Sequence, residues 1–156
     1  MNKIRFKVVA ALFVKYLNGK PHFLLGLRDE FHPAPLTYEF PGGKRKMMYA
    51  NVGNELKDVE ELVYENKPVI YENAKDAINR EMNEELGVDI TVKDKIWEAS
   101  YEDYDVELYE CELLSENFKL TAHKEICWGD VEFISNIQNT VLSLPAMLPL
   151  LKTYEK

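Results

Sequence analysis

The segment formed by residues 73–86 restricts the fold of this 156-residue chain more than any other part of the sequence. It carries an apolar side chain every four residues, at Ala74, Ile78, Met82 and Leu86. At about 100° per residue these positions form one stripe along a helix. Gly87 follows directly, and glycine readily takes the left-handed conformation that ends a helix. The pattern predicts a helix with one buried face, which we expect to pack against a β-sheet.

Strand-like runs precede this helix. Residues 3–15 and 23–28 are rich in apolar and β-branched side chains, and Asn18-Gly19-Lys20 between them predicts the turn of a hairpin. Residues 36–40 predict a short strand that ends in a tight, exposed turn at Pro41-Gly42-Gly43, because proline cannot continue a strand ladder. Residues 54–63 could form a short helix opened by Asn54.

More strand-like runs follow the helix, at residues 88–92, 96–101 and 106–113, with a turn expected at residues 102–105. Residues 132–152 are leucine-rich and predict helix that Pro145 and Pro149 interrupt. Such irregular alternation of strands and helices predicts one α/β domain, in which helices cover both faces of a mixed sheet.

Composition and charge narrow the class of function. The chain is 46% hydrophobic and 29% charged, which is typical of a folded globular domain. Its net charge of -8 argues against a general electrostatic grip on nucleic acid or an anionic membrane, and residues 8–14 are too short an apolar run to span a bilayer. Cys111 and Cys127 form no CxxC pair, so we expect free thiols and a cytoplasmic protein.

Three carboxylates share one face of the predicted helix. Glu81, Glu84 and Glu85 stand at positions i, i+3 and i+4, so they occupy roughly two turns of the same side. Like charges at this spacing need either open solvent or a counter-cation, and clustered carboxylate oxygens suit Mg²⁺ or Mn²⁺. Taken by itself, the cluster fits a solvated acidic helix face at least as well as a metal site.

The surrounding residues resemble the Nudix box, whose ordinary form is G-x5-E-x7-R-E-U-x-E-E-x-G-U. The chain has Tyr38-Glu39-Phe40-Pro41-Gly42-Gly43-Lys44, then Glu72-x7-Arg80-Glu81-Met82-x-Glu84-Glu85-x-Gly87-Val88. From Glu72 to Val88 the spacing fits at every specified position. Between Gly43 and Glu72, however, stand 28 residues instead of five, so an insertion at about residues 45–71 interrupts the motif. Long loops add little closure entropy, so the glycines and the helix can still meet.

The resemblance implies a Nudix-type α/β/α sandwich and a metal-dependent hydrolase. Residues 23–28 and 38–44, with residues 122–128 and 144–151, are similar to the MutT-like branch of nucleoside triphosphate pyrophosphohydrolases. By that resemblance, Glu81, Glu84 and Glu85 bind Mg²⁺ or Mn²⁺, with the Gly42 or Gly43 carbonyl as a further ligand. One of these glutamates, or a downstream carboxylate, accepts the proton of the attacking water.

The same resemblance assigns supporting roles. Arg80 holds the acidic cluster by charged hydrogen bonds, and Glu72 braces Arg80. Arg28 steadies a phosphate, although it could also be a surface cation at the end of a strand. The substrate-binding set is completed by Gly42, Gly43, Lys44 and Glu125.

Several alternatives stay open at this stage. The substrate is a nucleoside or deoxynucleoside triphosphate, or another nucleoside diphosphate linked to X such as ADP-ribose, and the chain could instead be a non-catalytic nucleotide-binding module. The protein is expected to be a monomer or homodimer, and the insertion a surface excursion, a lid or a dimer contact.

Single residues outside the motif also have two interpretations. For His123 we favour a structural or solvent-facing role, and we expect Cys127 to pack in the core. Four aromatic side chains fit packing better than base stacking: Tyr38, Trp97, Tyr101 and Trp128.

Overall fold

The computed structural model describes residues 5–31, 35–50, 55–58, 68–141 and 143–155. Its strands are β1 (Phe6–Leu12), β2 (Val14–Leu17), β3 (Lys20–Arg28), β4 (Tyr38–Glu39), β5 (Gly42–Lys44), β6 (Met47–Tyr49), β7 (Val69–Tyr71), β8 (Ile90–Ser100), β9 (Tyr104–Leu113) and β10 (His123–Gly129). Its helices are α1 (Ala74–Leu86), α2 (Val131–Asn136), α3 (Ser143–Ala146) and α4 (Leu148–Lys152), and a 3₁₀ turn, Thr153–Glu155, follows α4.

The mixed sheet that the sequence predicted is present, and the described strands also form a second, antiparallel sheet and a two-stranded ribbon. The mixed sheet has the order β5-β1-β9-β8, in which β1 and β9 are parallel and the other pairs are antiparallel. The second is antiparallel, with the order β10-β3-β2 and β4 added to β3. Only Phe13 separates β1 from β2, so one chain segment belongs to both sheets.

The core lies on both faces of these sheets. Val9 and Ala11 of β1 belong to the cluster that includes α1, whereas Ala10 and Leu12 belong to the cluster that includes α2, α3 and α4. Alternate residues of a strand point to opposite faces, so β1 is buried on both of its sides. The expected arrangement of helices on both faces of β-structure is confirmed.

Helix α1 is confirmed almost to the residue. Its Asn73 side chain caps the first turn by accepting hydrogen bonds from the backbone N–H groups of residues 75 and 76. Gly87 ends the helix with φ of 65°, and its N–H donates to the Asn83 carbonyl at 3.0 Å. The fully buried face is Ala77, Ile78, Met82 and Leu86, with Ala74 half-buried at its edge.

Of the predicted turns and strand breaks before residue 100, one is confirmed and two were wrong. The hairpin turn at Asn18-Gly19 is confirmed, and joins β2 to β3. The turn at Pro41-Gly42-Gly43 was wrong, because both glycines lie in β5 and pair with Val9 and Ala10 of β1. The break between residues 92 and 96 was also wrong: β8 runs through it, and its register shifts there against β9. Lys93, Asp94 and Lys95 are tolerated inside the strand because β8 is the edge of its sheet.

The C-terminal segment is mostly helical as predicted, but it is interrupted at residues 137–141 and at Met147 and not at its prolines. Pro145 and Pro149 lie inside the first turns of α3 and α4, where a backbone N–H has no partner within the helix. Met147 separates the two helices instead. No helix in the described part of the chain is long and apolar enough to cross a membrane.

The insertion is closed at its base by an antiparallel ribbon of β6 and β7. Met47 pairs with Tyr71, and Tyr49 pairs with Val69. The proposed helix over residues 54–63 lies mostly outside the described residues. Within residues 55–58, Lys57 exchanges both backbone hydrogen bonds with Met47, at 2.8 and 2.9 Å, and is therefore extended. The ribbon brings the two ends of the insertion together directly before α1.

Candidate active site

Strand β5 and helix α1 meet despite the insertion between them. A Cβ atom added to Gly43 would lie 2.4 Å from the Glu81 carboxyl carbon, so only glycine leaves room for that side chain. On the same strand, the Lys44 carbonyl accepts a hydrogen bond from Arg80 Nη2 at 3.2 Å. The glycine segment and the acidic helix are therefore in contact, as the sequence predicted.

Arg80 holds the carboxylates in the predicted manner. Its Nε and Nη2 donate to the two oxygens of Glu72 at 3.1 and 2.8 Å. Its Nη1 donates to Glu81 at 2.9 Å and to Glu84 at 3.3 Å. The Glu72 hydrogen bond raises the pKa of Arg80. Burial alone would raise the pKa of Glu72, but the hydrogen bonds that it accepts outweigh burial and lower it. Both side chains are therefore charged over the physiological range.

Glu72 is in turn fixed by the base of the insertion. The Lys46 N–H donates to Glu72 Oε1 at 3.0 Å, and the Glu72 N–H donates to the Lys46 carbonyl at 2.8 Å. Arg45 Nε donates to the Glu72 carbonyl at 2.7 Å. The ribbon thus sets the position from which Glu72 braces Arg80.

Glu85 is the most perturbed acid of the site. One of its oxygens, Oε2, is buried and has no hydrogen-bond partner among the described residues. Burial, followed by the neighbouring charges of Glu81 and Glu39, raises the pKa of Glu85 to about 9, against a hydrogen bond from the Gly42 backbone. Burial also raises the pKa of Glu81. Two half-buried carboxyls that line one cavity, one of them with a buried oxygen that has no partner, are the donor set that a hard divalent cation would satisfy.

The third glutamate is placed differently. Both Glu81 and Glu84 bond Arg80, but Glu84 is 58% exposed and lies outside the cavity that Glu81 and Glu85 line. No group of three or more His, Cys, Asp or Glu side chains in residues 5–31, 35–50, 55–58, 68–141 and 143–155 is arranged as a metal site. The fit to a metal thus rests on Glu81 and Glu85, and Glu84 would join them only after its side chain rotates.

A cavity of about 510 Å³ opens between α1, β1, β5, β9 and α3. Its charged lining residues are Arg28, Glu39, Lys44, Glu81 and Glu85. Its apolar lining includes Phe6, Val8, Val106, Leu144 and Met147. A cavity of this size with a few charged groups and a largely apolar remainder is the usual form of a small-molecule site.

The cavity wall contains one acidic residue that the sequence analysis passed over. Glu39 accepts hydrogen bonds from Arg28 Nη2 at 2.6 Å and from His123 Nε2 at 3.0 Å. His123 is buried, so a solvent-facing role was wrong and the structural role stands. One sequence feature could have identified Glu39 as a site residue. It is a carboxylate between Tyr38 and Phe40 in a short apolar strand, where an unpaired charge would be costly.

Of the remaining predicted site residues, the structure brings some into the cavity and leaves others outside it. Arg28 and Lys44 line the cavity, so Arg28 is not a simple surface cation. Glu125 is exposed on β10 and is not part of the lining, so its role in binding stays a prediction. The four aromatic side chains considered for stacking pack against the two cores instead: Tyr38, Trp97, Tyr101 and Trp128. Cys127 packs there too, and both cysteines are free.

Comparison with known proteins identifies the fold. No family model and no curated protein matches the sequence. Among solved structures, the chain is similar to a MutT protein from Methanosarcina mazei Go1, with 19% identity, a TM-score of 0.69 and coverage of 100% of this chain and 99% of that one. It is also similar to a hydrolase of the Nudix family from Clostridium perfringens, with 15% identity, a TM-score of 0.59 and coverage of 99% and 97%.

A third similar structure is an ADP-ribose pyrophosphatase from Streptococcus suis 89-1591, with 14% identity, a TM-score of 0.57 and coverage of 96% of this chain and 89% of that one. At these identities the agreement concerns the path of the chain. It extends over nearly all of each protein. The chain therefore has the fold of the Nudix hydrolases, MutT proteins among them.

Proposed function

We propose that this chain is a metal-dependent pyrophosphohydrolase that cleaves nucleoside or deoxynucleoside triphosphates to the monophosphate and pyrophosphate. The observation that carries this proposal is the Glu85 carboxyl, whose buried Oε2 has no partner in the described structure and which lines one cavity together with Glu81 and Arg28. Clustered carboxylate oxygens suit a divalent cation, and a guanidinium suits phosphate, so this lining fits a metal-bound diphosphate.

The acidic cluster and Arg80 have separate roles in this proposal. Glu81 and Glu85, with Glu84 after rotation and a Gly42 carbonyl, would hold Mg²⁺ or Mn²⁺. The ion, when bound, polarises a phosphoryl oxygen and makes bound water a better nucleophile. Arg80, fixed by Glu72, keeps the acidic cluster in place, and one of the three glutamates accepts the proton of the attacking water.

The other cavity residues bind the substrate. Arg28 and Lys44 are cationic and lie in the same lining as the carboxylates, so they would contact the phosphates that the metal leaves uncovered. The glycines of β5 allow the strand to approach the helix closely. The apolar part of the lining offers a surface for a nucleobase and ribose, which matches a small nucleotide as the partner.

The test is pyrophosphate release from a panel of nucleoside triphosphates, with Mg²⁺ or Mn²⁺, by the wild type and by the Glu84→Gln and Glu85→Gln variants. We expect turnover to fall by about 10²-fold or more in both variants while thermal unfolding stays cooperative. Glu112→Gln is the matched control, because Glu112 is an exposed carboxylate on β9 outside the cavity. Equal rates in the wild type and both site variants would reject the assigned site.

A second substrate class has a specific observation in its favour. A similar structure bears the name ADP-ribose pyrophosphatase, and a metal-bound carboxylate site recognises a diphosphate whatever is attached to it. The panel therefore includes ADP-ribose and dinucleoside polyphosphates. Release of a monophosphate together with a phosphorylated second group, without pyrophosphate, would favour this class. Tight nucleotide binding without turnover would favour a non-catalytic module.

We also propose a single domain, with the insertion at about residues 45–71 closed at its base by the ribbon of β6 and β7. We further propose that the protein works in the cytoplasm on small nucleotides, as a monomer or homodimer. Its net charge of -8 disfavours nucleic acid as a partner.

A further inference from the structure

The carboxylate of Glu39 is shared between two neighbours inside the cavity wall. Its Oε1 accepts from Arg28 Nη2 at 2.6 Å, and its Oε2 accepts from His123 Nε2 at 3.0 Å. The Glu39 side chain is only 16% exposed, and the His123 side chain is fully buried. Both oxygens of Glu39 are therefore engaged, which leaves this carboxylate poorly suited to act as a metal ligand or as the base for water.

The protonation states in this group follow from its geometry. Burial alone would raise the pKa of Glu39, but the hydrogen bonds from His123 and Arg28 outweigh burial and lower it. An ionised carboxylate can only accept, so the proton of this hydrogen bond lies on His123 Nε2. The other ring nitrogen, Nδ1, is buried without a partner in the described structure, so the Glu39 contact is what orients the ring.

Three adjacent strands build this group around one glycine. Gly26 of β3 stands opposite Glu39 of β4, and a Cβ on Gly26 would lie 2.4 Å from the His123 ring. The pairing of β10 with β3 shifts register between His123 and Glu125, and such an irregularity redirects a side chain. Glycine on one strand and a bulge on the next thus allow the imidazole to reach across β3 to the carboxylate.

On the basis of the proposed function, we propose that Glu39 is a positioning residue that fixes the Arg28 guanidinium for a substrate phosphate, with His123 and Gly26 fixing Glu39. A long arginine side chain loses rotamer freedom when it binds, and a partner that holds it beforehand lowers that cost. Arg28 lines the cavity next to the carboxylates that would bind metal, so its orientation decides where the phosphates lie.

Two opposing effects make this proposal testable. Glu39 is an anion beside the phosphate site, so on charge alone its neutralisation should strengthen phosphate binding. If Glu39 positions Arg28, neutralisation should weaken binding instead. In Glu39→Gln we expect KM for the nucleotide to rise about tenfold, with kcat within about threefold of the wild type. A KM that stays unchanged or falls would overturn the proposal.

The matched control is Asp105→Asn. Asp105 is 25% exposed and its Oδ1 accepts from Arg5 Nη2 at 2.8 Å, so it repeats the partial burial and the arginine partner of Glu39 outside the cavity lining. We expect its KM to equal that of the wild type. In an Arg28→Gln background, Glu39→Gln should change KM by less than about twofold, because Glu39 acts through Arg28. A tenfold effect that persists in that background, or a large loss of kcat, would show that Glu39 acts independently and would reject the proposal.

Gly26→Ala tests the same group from its other side. The added methyl meets the His123 ring, and we expect KM to rise as in Glu39→Gln. Gly129→Ala is its control, since a Cβ there would lie 2.5 Å from the Phe133 ring, on β10 but outside the cavity lining. If Gly26→Ala fails to fold, His123→Asn replaces it, and we again expect a higher KM. A wild-type KM in the variant that folds would contradict the role of these residues.

A binding measurement separates this proposal from the proposed function. If the wild type hydrolyses no nucleotide in the panel, the proposed function fails, but the positioning role can still be measured. Calorimetric titration with imidodiphosphate and Mg²⁺ should then show about tenfold weaker binding in Glu39→Gln than in Asp105→Asn. Equal affinities for imidodiphosphate would overturn the positioning role.

Discussion

At the residue scale, Glu85 links the candidate site to the stability of the protein. Its pKa is raised from 4.5 to about 9 by burial and by the charges of Glu81 and Glu39, so the folded chain keeps a proton that the unfolded chain releases. This contribution to stability is full below pH 4.5 and is lost progressively as the pH rises to about 9. A divalent cation bound to the carboxylate would displace that proton and remove the loss.

We therefore predict that the melting temperature of the metal-free wild type falls more steeply between about pH 5 and about pH 9 than that of Glu85→Gln, which has no proton to lose at this position. The check is thermal unfolding in EDTA across this range, repeated with Mg²⁺, which should flatten the wild-type curve. Parallel curves for the two proteins in EDTA would contradict the assignment.

The two glycines of β5 should respond differently to alanine. A Cβ on Gly43 meets the end of the Glu81 side chain, which can move, whereas a Cβ on Gly42 would lie 2.0 Å from the backbone oxygen of Val9, which cannot. Gly43→Ala should therefore lower kcat about tenfold or more with little loss of stability. Gly42→Ala should instead lower the free energy of unfolding by about 1–3 kcal/mol or more, because β5 must separate from β1. Urea unfolding and nucleotide turnover on both variants measure the contrast; equal stability losses would refute it.

Sequence spacing predicted only part of the site. Arg80, Glu81 and Glu84 lie on one helix, so their relation follows from 3.6 residues per turn, and the structure reproduces it. Glu39 and His123 are 84 residues apart and meet only because β4 and β10 both pair with β3. No local periodicity carries that information, so the sequence could single out Glu39 as a charge in an apolar strand but could not predict that His123 is its partner.

At the element scale, α1 carries most of the proposed chemistry and depends on its cap. The Asn73 side chain satisfies two backbone N–H groups of the first turn at 2.9 and 3.3 Å. We predict that Asn73→Ala lowers the free energy of unfolding by about 1 kcal/mol, whereas Asn73→Asp, which keeps an acceptor, retains stability within a few tenths. Denaturant unfolding checks both, and an unaffected Asn73→Ala would contradict the role of the cap.

The elements that the sequence located well are those with a strong period or an unambiguous end signal. Helix α1 has both, and so does the hairpin at Asn18-Gly19. Strand β5 was missed because its residues, two glycines and a lysine, lack the side chains that favour strands, and its pairing with β1 holds it in place. Strand β8 was divided because charged residues on an edge strand resemble a loop.

At the scale of the whole molecule, the net charge of -8 opposes an anionic ligand. Nucleotide binding should therefore need a cation in the cavity. We predict that the affinity for imidodiphosphate falls about tenfold or more when EDTA replaces Mg²⁺, and that Glu85→Gln loses most of this metal dependence. Titration calorimetry in the two buffers tests this, and equal affinities would argue against a metal-bridged phosphate.

The layered arrangement and its mixed sheet were predictable, but the separate antiparallel sheet was not. Apolar strand-like runs and one amphipathic helix indicate layers of sheet and helix, because each of these elements must bury its apolar face against another. The parallel pairing of β1 with β9 joins residues about 100 positions apart, such as Phe6 with Tyr104, and depends on how the complete chain packs. Long-range registers of this kind are outside what patterning determines.

The ribbon of β6 and β7 has a consequence for how this protein can be altered. Its paired strands fix the spatial gap between Lys46 and Glu72, whatever length of chain connects them. Foreign sequence grafted between β6 and β7 should leave these paired strands in place, and with them the bonds of Glu72 to Lys46 and Arg80. The segment between β6 and β7 is therefore a suitable insertion site for a fluorophore, an affinity tag or an added domain.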